Sequence, residues 1–197
     1  MSKRVFDLFG SGIGLIFLFP AFLLIMLWIK LDSPGPIFFR QVRVGRFGEP
    51  FRIHKFRTMR VDAEQSGRLT VGVDSRITRS GLFLRKYKLD ELPQLIDVLI
   101  GRMSLVGPRP EVQEFIDYYP SAVRDKVLSV RPGITDWASI EMVDENQLLA
   151  GYDDPRQAYI DIVLPIKQRF YLAYVDQQGF ITDIKIILST ILKVFSR

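Results

Sequence analysis

Residues 8–29 form an unbroken run without a formal charge, and Pro20 lies near its middle. At about 1.5 Å per helical residue such a run reaches across the roughly 30 Å hydrocarbon core of a bilayer. The rest of the chain reads as ordinary soluble sequence, so this run places the work of the protein at a membrane. Lys3 and Arg4 precede it, whereas Lys30, Arg40, Arg43 and Arg46 follow it. Basic flanks set orientation in a membrane, and a simple span concentrates them on one side. Pro20 lacks a backbone donor, and its ring clashes with the carbonyl of Ile16, which kinks a helix. Basic residues at both ends and a mid-run proline predict a re-entrant helix over residues 1–32 that enters the bilayer, bends at Pro20 and returns to the same face. One tilted spanning helix with a tolerated proline is the plainer alternative.

Residues 33–197 suffice for one soluble domain with its own core. The chain has no cysteine. That excludes disulfides, thiolate metal sites and cysteine nucleophiles, and agrees with a reducing cytoplasmic face. His54 is the single histidine, so neither a multi-histidine zinc site nor a Ser-His-Asp machine is expected. Carboxylates, lysines and arginines remain as the chemically able residues. The net charge of +5 suits anionic partners such as membrane phospholipid headgroups and nucleotides. Aromatic residues fall in apolar runs instead of along a basic stripe, which speaks against nucleic acid. The apolar run is too long for the core of a usual signal peptide and no A-x-A-like site follows it, so a cleavable signal is not expected.

After the apolar run, Asp32-Ser-Pro-Gly-Pro36 forces the chain out of helix. Residues 37–44 and 51–56 are rich in aromatic and β-branched side chains around a Gly-containing loop, the pattern of a short β-hairpin. Residues 59–74 read as a mobile loop with one helical turn at most. Ser80 is the expected cap of a short helix carrying Leu82, Phe83 and Leu84. A second helix is expected over residues 90–100, with Leu92, Leu95, Ile96 and Leu99 on one face and Gly101 as its stop. Residues 107–110 and 131–133 are rigid turns, with short helices expected over 112–119 and 122–130. In the tail, 180–197, Ile184, Ile187, Leu188, Ile191, Leu192 and Phe195 share one stripe of an amphipathic helix. Such a helix lies in the membrane interface or packs on the core. Gly10, Gly12 and Gly14 lack a P-loop ending and read as small residues for close helix packing.

The adjacent pair Asp90-Glu91 falls where a helix should begin, with Pro93 in the first turn. Acidic residues there are ordinarily caps. Arg85 and Lys88 lie just upstream, however, and the intervening helix can bring Arg109 back towards the same place. Convergent cations at a helix start suit phosphate, and a carboxylate beside that phosphate can act as a nucleophile. Its attack on an already anionic phosphorus meets Coulomb repulsion, which arginines and a divalent metal relieve. Lys55 and Arg57 add charge on a predicted strand. Asp74 and Arg76 form either a second pair near the site or a surface ion pair.

Taken in order, Pro20 within its apolar start, Lys55-Phe-Arg57-Thr-Met59, Asp74-x-Arg76-Ile-Thr78, Leu84-Arg85, Leu89-Asp90-Glu91-Leu92-Pro93-Gln94-Leu95, Met103-Ser-Leu-Val-Gly107-Pro-Arg109-Pro110 and Arg131-Pro-Gly-Ile-Thr135 resemble the small monotopic phosphoglycosyl transferases, the bacterial sugar transferase family. The resemblance covers nearly the whole chain. It implies transfer of a phosphosugar from a UDP-sugar to polyprenyl (undecaprenyl) phosphate, the first membrane step of a surface glycan, at the cytoplasmic face of the bacterial inner membrane. It implies Asp90 as the nucleophile that expels UMP and leaves an aspartyl phosphosugar. Asp90 and Glu91 would bind Mg²⁺, or Glu91 would take the proton of the incoming acceptor. Arg85, Arg109, Lys55 and Arg57 would hold phosphate. The expected architecture is a mostly helical α/β mixture: re-entrant helix, hairpin, small cytoplasmic catalytic domain and amphipathic C-terminal helix, alone or as a homo-oligomer. Arg102 stands where relatives commonly carry an acidic residue, and Asp136-Trp-Ala-Ser139-Ile-Glu141 replaces a frequent Gly-Trp-Ala-Gln-Val-Asn. The resemblance therefore names a reaction class and not a sugar. The competing reading is a non-catalytic basic tether or adapter for anionic ligands, with Asp90 as a helix cap.

Overall fold

Helix α1 (Lys3–Asp32) takes up the entire apolar run and continues through Pro20. The computed structural model describes residues 3–61, 63, 72, 74–142 and 144–196. By length and composition α1 can cross a membrane, and most of it is bare: Ile16, Phe17, Phe19, Leu24 and Leu31 are strongly exposed. Pro20 lies on this uncovered side.

The other side of α1 is fastened to the rest of the chain. Asp7 is buried and accepts hydrogen bonds from Ser104 Oγ and Leu105 N, each at 3.0 Å. Arg4 donates to the carbonyls of Val98 (2.6 Å) and Leu99 (2.9 Å). These carbonyls lie at the end of a short helix, where a cation also meets the negative end of the dipole, and Val98 O accepts from Gly101 N as well (3.0 Å). Gly10 and Gly14 admit Leu105 and Leu95: a Cβ at those positions would stand 2.7 and 3.2 Å from their methyl groups. Phe22, Ile25 and Ile29 complete the face, buried against Phe56 and Leu84.

The hairpin forms as the sequence predicts, in two pairs of strands on one register. β1 (Phe38–Phe39) pairs with β4 (Lys55–Phe56), and β2 (Val42–Val44) with β3 (Pro50–Arg52). The loop turns through left-handed Phe47 and Gly48. Helix α2 (Arg79–Lys86) is capped by Thr78, whose hydroxyl accepts from Gly81 N at 3.1 Å, and not by Ser80. Ser80 is drawn instead to Asp32 at the end of α1, donating through N and Oγ at 2.9 and 2.8 Å. The helix expected over 90–100 is a 3-10 turn (Leu89–Glu91) followed by α3 (Gln94–Leu99), with Leu92 and Pro93 helical between them. Gly101 ends it at φ +88°.

Strands β5 (Ser104–Val106) and β6 (Gly133–Thr135) pair in parallel, a ladder the sequence pattern did not announce. Helices α4 (Gln113–Ile116) and α5 (Ser121–Val127) make the crossover, each shorter than expected. Beyond β6 come α6 (Trp137–Glu141), α7 (Glu145–Ala150), α8 (Pro155–Ala158), a π segment (Tyr159–Val163) and α9 (Leu164–Gln177). The π segment has a local cause. Pro165 cannot donate to the carbonyl four residues back, and Leu164 N instead bonds Tyr159 O in an i to i−5 step. Helix α10 (Phe180–Phe195) rests on the core through Asp183 and Ile186, while Leu188, Ile191, Leu192 and Phe195 of the expected stripe face outward. Most of the loop expected over 59–74 lies outside the described residues.

The ladder requires glycine at its close approach, because a Cβ on Gly133 would fall on the backbone of Gly107. Gly12, with nothing within 4 Å of its would-be Cβ, serves as the control. Gly133→Ala is expected to lose about 1–3 kcal/mol of stability or more through overpacking. Gly12→Ala should be neutral or stabilising, since alanine favours a helix by about 1 kcal/mol. Thermal unfolding in a detergent micelle or nanodisc reads both, and equal melting temperatures would refute the packing argument.

Candidate active site

Tyr87 and Lys88 end α2, and Lys88 takes a left-handed conformation (φ +56°) that few non-glycine residues adopt. The chain is thereby redirected into the 3-10 turn, where Asp90 and Glu91 are both buried. The turn lies beside β4, which carries Lys55. From the opposite direction comes Arg109, in the rigid stretch after β5, held by Gly107 N to Thr135 O (3.1 Å) and Gly133 N to Pro108 O (2.9 Å).

These three segments meet on Glu91. Lys55 Nζ donates to Oε1 at 2.7 Å, and Arg109 grips both oxygens, one nitrogen donating to Oε2 at 2.9 Å and the other to Oε1. Burial by itself raises a carboxyl pKa, yet Arg109 and Lys55 outweigh it and hold Glu91 well below the usual carboxylate range. Glu91 in turn holds Arg109 in its charged form. Lys55 is brought down to about 8 by burial, against the pull of Glu91.

Asp90 experiences the reverse. Burial and the charge of Glu91 raise its pKa, and Lys55, Lys88 and Arg85 only partly oppose them. Among the described residues its Oδ1 is buried with no hydrogen-bond partner. The 3-10 turn also has no side-chain cap, so Asp90 does not perform the cap role on which the adapter reading rests. One turn further, the amide nitrogen of Gln94 is likewise buried without a partner.

The remaining predicted residues separate. Arg85 stays within electrostatic reach of Asp90 and donates through Nε to Thr58 Oγ1 at 2.9 Å. Arg57, expected to hold phosphate, is instead buried on the carbonyls of Ser33 (2.7 Å) and Pro34, where it clasps the exit from α1. Asp74 and Arg76 form a tight local pair, with Arg76 also donating to Ala63 O at 2.9 Å.

Sequence reasoning missed what stands behind Arg109. Arg43 donates to Pro110 O at 3.1 Å. Glu111 accepts from the Tyr159 hydroxyl at 2.8 Å, and that hydroxyl accepts from Lys167 Nζ at 3.0 Å. Lys167 also pairs with Glu145 at 2.7 Å. Glu111 directly follows the Gly-Pro-Arg-Pro turn, a signal that was available, whereas Tyr159 and Lys167 lie in no motif. Asp136, buried and capping α6 through Ser139 N (3.0 Å), is a further charge sensed by Arg109.

A divalent metal fits this arrangement in one way. Among the described residues no group of three or more His, Cys, Asp or Glu side chains is placed to hold one. Both oxygens of Glu91 are engaged by cations in this structure, so an ion shared between Asp90 and Glu91 does not fit while Lys55 and Arg109 hold them. The unpartnered Asp90 Oδ1 fits a Mg²⁺ that brings its remaining ligands from diphosphate and water, the usual habit of that ion.

The model of the bacterial sugar transferase family matches residues 1–197. The chain is 38% identical over 196 residues to a UDP-N-acetylgalactosamine-undecaprenyl-phosphate N-acetylgalactosaminephosphotransferase of Aeromonas hydrophila, covering 96% of this chain and 42% of the relative. It is 37% identical over 201 residues to the UDP-glucose:undecaprenyl-phosphate glucose-1-phosphate transferase of Escherichia coli, covering 99% and 40%. With the exopolysaccharide production protein PSS of Rhizobium leguminosarum it shares 37% identity over 207 residues, covering 99% and 96%. The chain thus spans about two fifths of the length of the first two and nearly all of the third.

Because burial and Glu91 raise the folded-state pKa of Asp90, its ionised form is penalised by folding. Stability is forfeited at neutral pH and regained as the pH falls through the raised pKa, where the folded carboxyl takes up a proton. Asp90→Asn keeps the shape and removes the buried charge, so it should melt higher than wild type at pH 7. The gap should close towards pH 4. A variant melting lower at pH 7 would show that Asp90 is a stabilising residue.

Proposed function

Because the chain belongs to the bacterial sugar transferase family, we propose that it moves a phosphosugar from a UDP-sugar to undecaprenyl phosphate through a covalent intermediate on Asp90. The observation that carries this reading is the contrast within one turn: Glu91 is saturated by cations, whereas Asp90 beside it keeps an oxygen without a partner among the described residues. The names of the relatives, two of which specify undecaprenyl phosphate and a UDP-sugar, supply the substrate class.

In the first displacement a carboxylate oxygen of Asp90 bonds to the sugar-bearing phosphorus, and the bond from that phosphorus to the bridging oxygen breaks, releasing UMP. In the second, a phosphate oxygen of the acceptor bonds to the same phosphorus and the bond to Asp90 breaks. One phosphoanhydride replaces another, and the carboxylate divides one transfer into two simpler steps. Arg109 and Lys55, which converge on Glu91, would neutralise the diphosphate and the charge that develops on its oxygens, with Arg85 on the Asp90 side. A phosphate monoester, with a second pKa of about 6, is largely dianionic at neutral pH, so the acceptor needs little help from a base. Mg²⁺, when bound, would add charge neutralisation at the diphosphate.

Asp90→Asn should abolish UMP release from UDP-glucose, UDP-N-acetylgalactosamine and related donors presented with undecaprenyl phosphate and Mg²⁺. Labelled donor without acceptor should leave a phosphosugar on wild-type protein at Asp90. Turnover by the purified variant would exclude the covalent role.

A pH dependence follows from the same groups. The nucleophile must be ionised, so kcat/KM should rise through the raised pKa of Asp90. Lys55 must be charged, so kcat/KM should fall as the pH passes about 8. Lys55→Arg keeps the charge and should carry the alkaline limb upward. An unmoved limb would assign it elsewhere.

The proposal extends to placement: α1 as a re-entrant helix with its bare apolar face in the inner membrane and the site on the cytoplasmic side, α10 lying at the interface. The basic flanks and Pro20 on the uncovered face support it. Single cysteines at Ser2 and at exposed Glu49 should both be shielded from an impermeant thiol reagent in intact cells and react after permeabilisation. Labelling of only one of them in intact cells would identify a spanning helix.

A further inference from the structure

Both oxygens of Glu91 are in use, by the fork of Arg109 and the ammonium of Lys55. A carboxylate bound this way offers what a phosphate offers, two neighbouring anionic oxygens presented to a guanidinium. The three side chains are shielded from water, with side-chain exposures of 9% for Glu91, 16% for Lys55 and 25% for Arg109. Two cations left unpaired there would be strongly destabilising, because water does not replace the lost partner. The cations that suit the diphosphate of the donor are thus already neutralised by the residue next to the nucleophile. Asp90, without a partner at Oδ1 among the described residues, takes no part in that neutralisation.

Resting on the function proposed above, we infer that Glu91 is a stand-in for the donor phosphate. It holds Lys55 and Arg109 aimed at the site before the nucleotide sugar arrives, yields them to the diphosphate on binding, and reclaims them as UMP leaves. Glu91 is then a positioning residue that acts through the two cations, and not a metal ligand. The exchange has an electrostatic signature. Lys55, Arg109 and Glu91 together carry a net charge of +1, and the same trio with glutamine at position 91 carries +2. The isosteric amide keeps the shape and removes the competitor, so an anionic nucleotide should be held more tightly and released more slowly.

The test measures UMP binding by calorimetry to the purified full chain in nanodiscs, wild type against Glu91→Gln, once in chelator and once in Mg²⁺. The expected result is UMP affinity about tenfold higher in the variant under both conditions, from removal of a like charge at the phosphate. In turnover the KM for the donor should fall together with kcat, because UMP departs slowly. Unchanged or weaker UMP binding by Glu91→Gln overturns the inference. Binding weakened only when Mg²⁺ is present overturns it in favour of a metal-ligand role.

The variant leaves two cations without their carboxylate and will melt lower than wild type, so the rise in melting temperature on adding UMP provides a second reading. A larger rise for Glu91→Gln than for wild type supports the exchange, and an equal or smaller one opposes it. Wild-type release of UMP from UDP-sugars, alongside a variant that does not bind UMP more tightly, leaves the proposed function standing and removes only the role of Glu91. Wild-type protein that releases no UMP from any UDP-sugar removes both.

Discussion

The grip of Lys55 and Arg109 on the Glu91 carboxylate joins three pieces of chain that are otherwise far apart in sequence. It ties the end of the hairpin to the turn before α3, and that turn to the rigid stretch leaving β5. A buried ion pair is weak evidence of stability gained, but breaking one leaves an uncompensated charge. Its geometry consequently dictates where its neighbours go. Arg109 is backed by Arg43 on the Pro110 carbonyl and, one residue on, by Glu111 in the Tyr159 and Lys167 network. The C-terminal helices thereby reach the site without contributing a side chain to the carboxylate pair. Pro165 has a part in this, since the π segment it imposes begins at Tyr159, the residue whose hydroxyl bridges Glu111 and Lys167.

The long apolar helix belongs to the same body. Asp7, Arg4 and the small residues Gly10 and Gly14 seat it against β5 and α3, while Lys3 pairs with Asp183 at the start of α10 at 2.6 Å. Phe6 meets Phe180 edge-on in the same place, with ring centroids 5.3 Å apart. The two elements with the largest bare apolar surfaces, α1 and α10, are therefore latched together at their N-termini. An apolar patch of this kind is normally covered, and under the proposed placement lipid would cover both helices.

The sequence made some of this legible and hid the rest for physical reasons. Residues 8–29 announce α1 because an uncharged run of that length has few other uses. The hairpin is legible because aromatic and β-branched residues flank a loop with two glycines. The pairing of Glu91 with Arg109 was in reach because both lie in short, distinctive motifs. The cap of α2 was misplaced because Thr78 and Ser80 are chemically equivalent as caps, and the choice is made by Asp32, 48 residues away along the chain. Charge alone suggests Arg57 as a phosphate ligand, and the pattern does not reveal that its partners here are the carbonyls of Ser33 and Pro34. Strands β5 and β6 were missed because three residues are too few to show a period, and a parallel ladder is decided by the crossover between them. The Lys167, Tyr159 and Glu111 network has no local pattern at all.

Two adjacent carboxylates in one turn end with opposite tendencies, and the reason is the direction in which each points. Glu91 faces the cations of β4 and of the stretch after β5 and is held ionised, whereas Asp90 receives burial and the charge of its neighbour. Separating two titratable groups in this manner is how a site assigns them different tasks. The position of the turn adds a second consequence. Leu89 and Leu92, immediately flanking the pair, pack against the cluster that Phe22, Ile25 and Ile29 of α1 form with Phe56 and Leu84. Each carboxylate is thus one residue from a side chain of the cluster to which the helix with the bare apolar face contributes. For the proposed reaction this is the geometry required, because the acceptor presents its phosphate from the lipid and the donor arrives from water. If the proposed reaction holds, this shared cluster would couple the depth of α1 in the bilayer to the height of Asp90, so that the anchoring helix would also set where the proposed nucleophile meets its substrates.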